Sequence, residues 1–149
     1  MTLSKNFTLS EFLRSEAASR RGIVMHPNQG AIDNMKFLCE HVLEPIRAQA
    51  GRIRITSGFR SLSVNEMVGG SPTSAHLYGL AADTEPMDID FDDYGRIIRR
   101  LVHSLPVAKV ILEFGEWYHI EAPKEGVEAT RQLLVAERYE DKTIYRTWT

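Results

Sequence analysis

A single cysteine, Cys39, leaves this chain without the means to form an internal disulfide. Folding therefore needs no oxidising compartment. Cys39 falls among the apolar positions of a predicted helix, so a buried thiol is expected rather than a reactive one. No apolar run approaches the roughly 18 residues of a membrane span. The opening MTLSKNFTLSEFLRSEAA lacks the long apolar stretch of a secretory signal. The product is thus expected to accumulate in the cytoplasm, with no stable membrane association. Charge of one sign is missing as well: 18 Lys and Arg against 20 Asp and Glu give a formal net charge of −2. With no basic run, nucleic acid is not an expected partner. Repeats, low-complexity stretches and linkers are also absent. A single domain over residues 1–149 is expected, of a size for one substantial core, and a monomer is expected.

The elements that are present follow from periodicity and capping. Thr8-Leu9-Ser10-Glu11 fits a capping box that opens a first helix over about residues 9–20. A second helix is predicted from Asn28 to about Ala50, its apolar positions at helical period. Gly51 ends it, and Pro45 should bend or interrupt it. Arg52–Thr56 alternates as a half-buried strand, and Leu62–Met67 reads as a short helix stopped by Gly69-Gly70. Leu80–Thr84 is a second strand. A third helix starts near Asp90, its stripe running through Tyr94 and Ile98 until Pro106 bars continuation. Val107–Phe114 and Trp117–Ala122 form a hairpin around Gly115-Glu116. The tail from Lys124 reads as helix or strand, followed by Tyr139–Trp148 with a possible turn at Glu140-Asp141-Lys142. The class is α+β: a small antiparallel sheet carrying a metal site, packed against helices.

The chemistry concentrates in SAHLYGLAAD (Ser74–Asp83) and EWYHIE (Glu116–Glu121). Taken singly, His76 reads as a surface loop histidine, Asp83 as a strand-end carboxylate and His119 as a core histidine. Together they are two imidazoles and one carboxylate, a common ligand set for catalytic zinc that leaves one tetrahedral position for water. Zinc can lower the pKa of such a water to about 7. Asp83 interrupts the apolar run Leu80-Ala81-Ala82, where a carboxylate is costly unless paired or metal-bound. Gly79, just after His76, marks a place where a side chain would crowd the backbone. Trp117, His119 and Glu121 alternate along their strand and share a face. Glu116, three residues before His119, is a carboxylate placed for general-base work. His26, His41 and His103 read as structural or solvated, and the acidic cluster at Asp88, Asp90, Asp92 and Asp93 as helix capping.

These strings carry a resemblance. SGFRS (Ser57–Ser61), Asn65, Val68-Gly69-Gly70, the pattern S-x-H-x-x-G-x-A-x-D and the closing W-x-H resemble the M15 group of zinc peptidases. That group holds D-alanyl-D-alanine carboxypeptidases, dipeptidases and phage endolysins. Phe7-Thr8-Leu9-Ser10-Glu11-Phe12, Ala18–Ile23 and Leu43-Glu44-Pro45-Ile46-Arg47 are similar to its compact phage branch, so the likeness runs from about Phe7 to Glu121. The resemblance implies zinc on His76, Asp83 and His119. It makes Arg60 a ligand for a substrate carboxylate or carbonyl, or for the oxyanion. It leaves Ser74 either hydrogen-bonding substrate or bracing its loop. For the base it supports Glu116, with Glu113 as the second candidate because a glutamate in the preceding strand recurs in the phage branch.

The function so implied is hydrolysis of a bond in the peptidoglycan stem peptide by a metallopeptidase. The bond is either D-Ala-D-Ala (carboxypeptidase) or an endopeptidase bond such as L-Ala-D-Glu. The setting would be cell-wall degradation by a bacteriophage or prophage endolysin that leaves the cytoplasm through a holin. The alternative is a non-catalytic, metal-stabilised structural or binding module of a phage particle.

Overall fold

A computed structural model describes residues 1–149. The capping box at Thr8 forms: the Thr8 amide donates to Glu11 Oε2 (2.7 Å), and the Glu11 amide donates to Thr8 Oγ1 (3.4 Å). It opens a short helix, α1 (Leu9–Leu13), and not one helix to residue 20. Arg14 turns extended, and the Ser15 hydroxyl caps a second short helix, α2 (Glu16–Arg20). A serine oxygen that can accept an orphan amide favours a new start over an uninterrupted turn. What anchors α1 is Phe12, wholly buried. Burial of such a side chain contributes about 2–3 kcal/mol, against roughly 1 kcal/mol for the cap.

The long second helix has an interior defect. α3 (Gln29–Leu38) passes into a single π turn over Cys39–Leu43 and then α4 (Glu44–Ala50). Pro45 has no amide to offer and its ring crowds the carbonyl one turn back. The wider turn, with the Glu44 amide bonded to the Cys39 carbonyl, accommodates it without ending the helix. Cys39 is buried, as its position implies.

The sheet has six strands in the order β1-β2-β4-β3-β5-β6. They are β1 (Ile53–Ser57), β2 (Ala81–Pro86), β3 (Lys109–Glu113), β4 (Trp117–Glu121), β5 (Gln132–Tyr139) and β6 (Lys142–Thr147). The α+β class stands, but the sheet is larger than the sequence suggested and mixed, because β5 runs parallel to β3. Turns at Phe114–Glu116 and after Tyr139 make β3–β4 and β5–β6 hairpins.

Register sorts the side chains onto two faces. Ala82 and Val110 pair with Ile120, and Thr84 and Leu112 pair with Tyr118, on the face that meets the helices. α6 (Phe91–Leu101), capped by Asp90, covers part of it. There the Tyr94 hydroxyl donates to Thr84 Oγ1 (2.7 Å), whose own proton goes to the Tyr118 carbonyl (3.0 Å), so the buried hydroxyls are satisfied. Asp83, Ile111, Glu113, Trp117, His119 and Glu121 fall on the opposite face. α5 (Leu62–Met67) and a 3-10 turn over Ala75–Tyr78 border that face beyond β1 and β2.

Two glycines set close approaches behind it. A Cβ on Gly58 would stand 2.7 Å from the Phe12 Cα, and one on Gly79 would stand 2.5 Å from the Ala31 carbonyl oxygen. Gly79 also has φ of +72°, which most side chains resist. These contacts hold the segments that carry Arg60 and His76 against α1 and α3.

Candidate metal centre and cleft

Asp83 and His119 are direct partners across β2 and β4, so strand pairing alone brings them together. His76 arrives from the 3-10 turn, 43 residues before His119 in the chain and 5.2 Å from it between ring centroids. Asp83 Oδ1 lies 3.0 Å from His119 Nδ1 and 3.3 Å from His76 Nε2. All three residues are buried. The Nδ1–H of His76 donates to the Gly58 carbonyl (2.6 Å), which fixes the tautomer and leaves Nε2 free to give a lone pair.

The donor set fits a metal ion. Its three ligand atoms lie within 4.8 Å of one another. Nitrogen and oxygen ligands at tetrahedral angles on one zinc-sized ion stand about 3.3 Å apart, close to the two distances observed. The second ring nitrogen of His119, Nε2, lies 2.9 Å from Glu121 Oε1. A carboxylate on the outer nitrogen is the usual orienting partner of a ligating histidine. Glu121 was not singled out for this from the sequence. The signal was present in the alternation that puts it on the face of His119.

The cluster is electrostatically tight. Burial opposes charge on Asp83, but His76 and His119 beside it hold its carboxyl well below the usual range. Burial likewise opposes the His119 cation, yet hydrogen bonds to Asp83 and Glu121 raise it to about 9. Burial draws the Arg60 guanidinium below its ordinary value, with Asp83 and Glu113 acting against it. Arg60 donates to Ser57 Oγ (3.2 Å) and Asn65 Oδ1 (3.4 Å) and lies 3.5 Å from Asp83 Oδ2. Asn65 is itself buried and donates to the Ser71 carbonyl (2.9 Å), so it fixes one side of the guanidinium. The Ser74 hydroxyl accepts from the His76 amide (3.3 Å) and braces that turn.

The two candidate bases occupy different places. Glu113 pairs with Trp117 across β3 and β4 and lines the same cavity of about 510 Å³ as His76, Asp83 and His119. Burial raises its carboxyl above the ordinary value, with His119 and Arg60 opposing and Asp83 reinforcing. Glu116 sits exposed in the turn, outside that cavity. It borders an adjoining groove of about 690 Å³. Arg60, Asp83 and Trp117 line both depressions, which together make one cleft across the cluster.

An α+β chain with a buried His-Asp-His cluster, an arginine and a half-buried carboxylate in one cleft has the parts of a metal-dependent hydrolase. Residues 5–121 match the family model described as Peptidase M15, and the chain belongs to that family. The matched span holds every one of these parts and stops at the end of β4. No curated protein matches the chain.

Proposed function

We propose that this protein is a zinc-dependent peptidase that hydrolyses a bond in the peptidoglycan stem peptide, as a phage or prophage endolysin. The observation that carries the reading is the convergence of His76, Asp83 and His119 beside Arg60 and Glu113 in one cleft. His76 through Nε2, Asp83 through Oδ1 and His119 through Nδ1 would hold the ion. Zinc bound there supplies Lewis acidity toward a carbonyl and lowers the pKa of water.

The chain's own residues do the rest. Glu113 takes a proton from the attacking water and returns it to the leaving amine, a role suited to a carboxyl raised toward neutral pH. Its place in the cavity favours it over Glu116, the base favoured from the sequence. Arg60, steadied by Ser57 and Asn65, holds the substrate carboxylate or the oxygen on which negative charge develops. Glu121 keeps the His119 ring oriented. Work on the cell wall then follows release from the cytoplasm by a holin-type route.

The test is incubation of the zinc-loaded protein with defined muropeptides, products being identified by mass spectrometry against a chelated control. Loss of terminal D-alanine alone assigns a carboxypeptidase; release of an internal stem fragment assigns an endopeptidase and supports lysis. No cleavage with zinc bound refutes the hydrolase and favours a metal-stabilised structural module.

A further inference from the structure

The β5–β6 hairpin lies outside the span that matches the family, yet it forms a wall of the cleft. Register fixes which of its side chains face the metal cluster. Glu113 on β3 pairs with Ala136 on β5, and Ala136 pairs with Tyr145 on β6. Side chains paired across strands share a face, so Tyr145 stands in the row of Glu113 and Trp117. Arg138, paired with Thr143, falls on that face two residues along β5, diagonal to Tyr145. All three hairpin residues line the cavity that holds His76, Asp83 and His119.

Arg138 differs from the hairpin's other arginine. Arg146, whose side chain is on the other face, is paired with Glu137 (2.8 Å). Arg138 enters no ion pair. Its guanidinium instead lies 4.4 Å from the centroid of Phe114, at the tip of the β3–β4 turn. Stacking on that ring holds the planar group while its N–H donors stay free. Tyr145 is 58% exposed and lines the cavity. The phenol senses the cavity: burial and the Glu113 charge both raise its pKa. Two of the cavity's three carboxylates are engaged, Glu121 with His119 and Asp83 with both histidines, and the third, Glu113, is the proposed base. Arg60 enters the cleft from the β1 side, whereas Arg138 enters from the hairpin side, so two guanidinium groups flank the cluster.

We infer that Arg138, with the Tyr145 hydroxyl as an auxiliary donor, forms a subsite for a free carboxylate on the substrate, on the far side of the metal cluster from Arg60. The inference rests on the stem-peptide reading and adds a selectivity to it. A stem residue joined through its side chain keeps a free α-carboxylate, which a guanidinium binds through paired hydrogen bonds. A carboxamide at the same position offers one acceptor and no charge. The hairpin therefore makes the enzyme choose carboxylate-bearing stems over amidated ones.

The experiment uses two muropeptides that differ only in carboxylate against carboxamide at one side-chain-linked residue. Binding of each to zinc-loaded Glu113→Gln protein is measured by calorimetry, with and without Arg138→Gln or Tyr145→Phe. kcat and KM are measured separately in the otherwise wild-type background. Arg138→Gln should weaken binding of the carboxylate peptide about tenfold and raise its KM in step, with kcat little changed. The carboxamide peptide should bind alike with or without the substitution. Tyr145→Phe should give a smaller loss of the same selectivity. Equal effects on both peptides, or none, overturn the subsite while turnover by the wild-type chain upholds the hydrolase. Absence of both binding and turnover for either peptide overturns the subsite and the stem-peptide reading together. Both substituted side chains are exposed, and matched thermal melts establish that the variants fold.

Discussion

His119 Nε2 and Glu121 Oε1 lie 2.9 Å apart, two residues along one strand and on the same face. The contact leaves the other ring nitrogen, Nδ1, toward Asp83 and the metal position. Glu121 would thus act on a bound ion only through the ring it orients. Glu121→Gln keeps a hydrogen-bonding group but loses the charge that makes the ring a better donor. Removal of such a partner typically weakens metal binding about 10- to 100-fold. Competition with a chromogenic chelator measures this directly, and affinity unchanged by the substitution would deny Glu121 that role.

Glu113 and Glu116 can be separated by one pair of variants. Glu113→Gln should lower kcat about 100-fold or more while zinc remains bound. Glu116→Gln, on the exposed turn, should leave kcat within about threefold of wild type, as surface substitutions away from a site generally do. The reverse pattern would return the base to Glu116.

The metal-free protein should respond to pH in a defined direction. Burial works against a charged His119, but its carboxylate partners raise it from an ordinary 6.5 to about 9. A group with a raised folded-state pKa contributes stability that is complete below its unfolded value and is lost as pH rises through the folded one. The chelated protein should therefore melt at lower temperature at pH 9 than at pH 6.5. The same proton must leave when a metal binds, so zinc should stabilise more at the higher pH. Melting temperatures at constant ionic strength, with and without zinc, test both; a chelated protein equally stable at the two pH values would contradict this account of the cluster.

Packing behind the site gives a stability prediction. Gly58→Ala would drive a methyl group to 2.7 Å from the backbone of Phe12. Forced overpacking of this kind costs about 1–3 kcal/mol. Because the Gly58 carbonyl also anchors His76, metal affinity should fall along with urea resistance. A variant with wild-type unfolding midpoint would show that α1 yields freely at this contact.

Much of the site was legible because its pieces are local. The alternation in EWYHIE needs only strand geometry, and the pairing of Asp83 with His119 uses it, while His76 comes from a 3-10 turn a few residues before β2. The hairpin turn at Gly115-Glu116 was also readable. Counting outward from that turn puts Glu113, not Glu116, opposite Trp117, a consequence the sequence already contained. Other features were hidden because they depend on competition or on distant partners. Ser15 as a cap competes with continuation of the first helix, and Phe12 and Ala18 end up buried from two separate short segments. Pro45 announced an irregularity in the second helix but not its resolution as a π turn. The parallel pairing of β5 with β3 joins segments with no shared local signal, so the arrival of Arg138 and Tyr145 at the cleft could not be read from their own neighbourhood.

One ion on His76, Asp83 and His119 should be required for hydrolysis. The most direct test strips the protein with chelator and returns zinc stepwise while muropeptide cleavage is followed. Cleavage should be absent at the start, rise in proportion to added zinc and level off at about one equivalent per chain, with His119→Ala silent throughout. Cleavage that persists in the stripped protein, or that His119→Ala retains, would contradict the account.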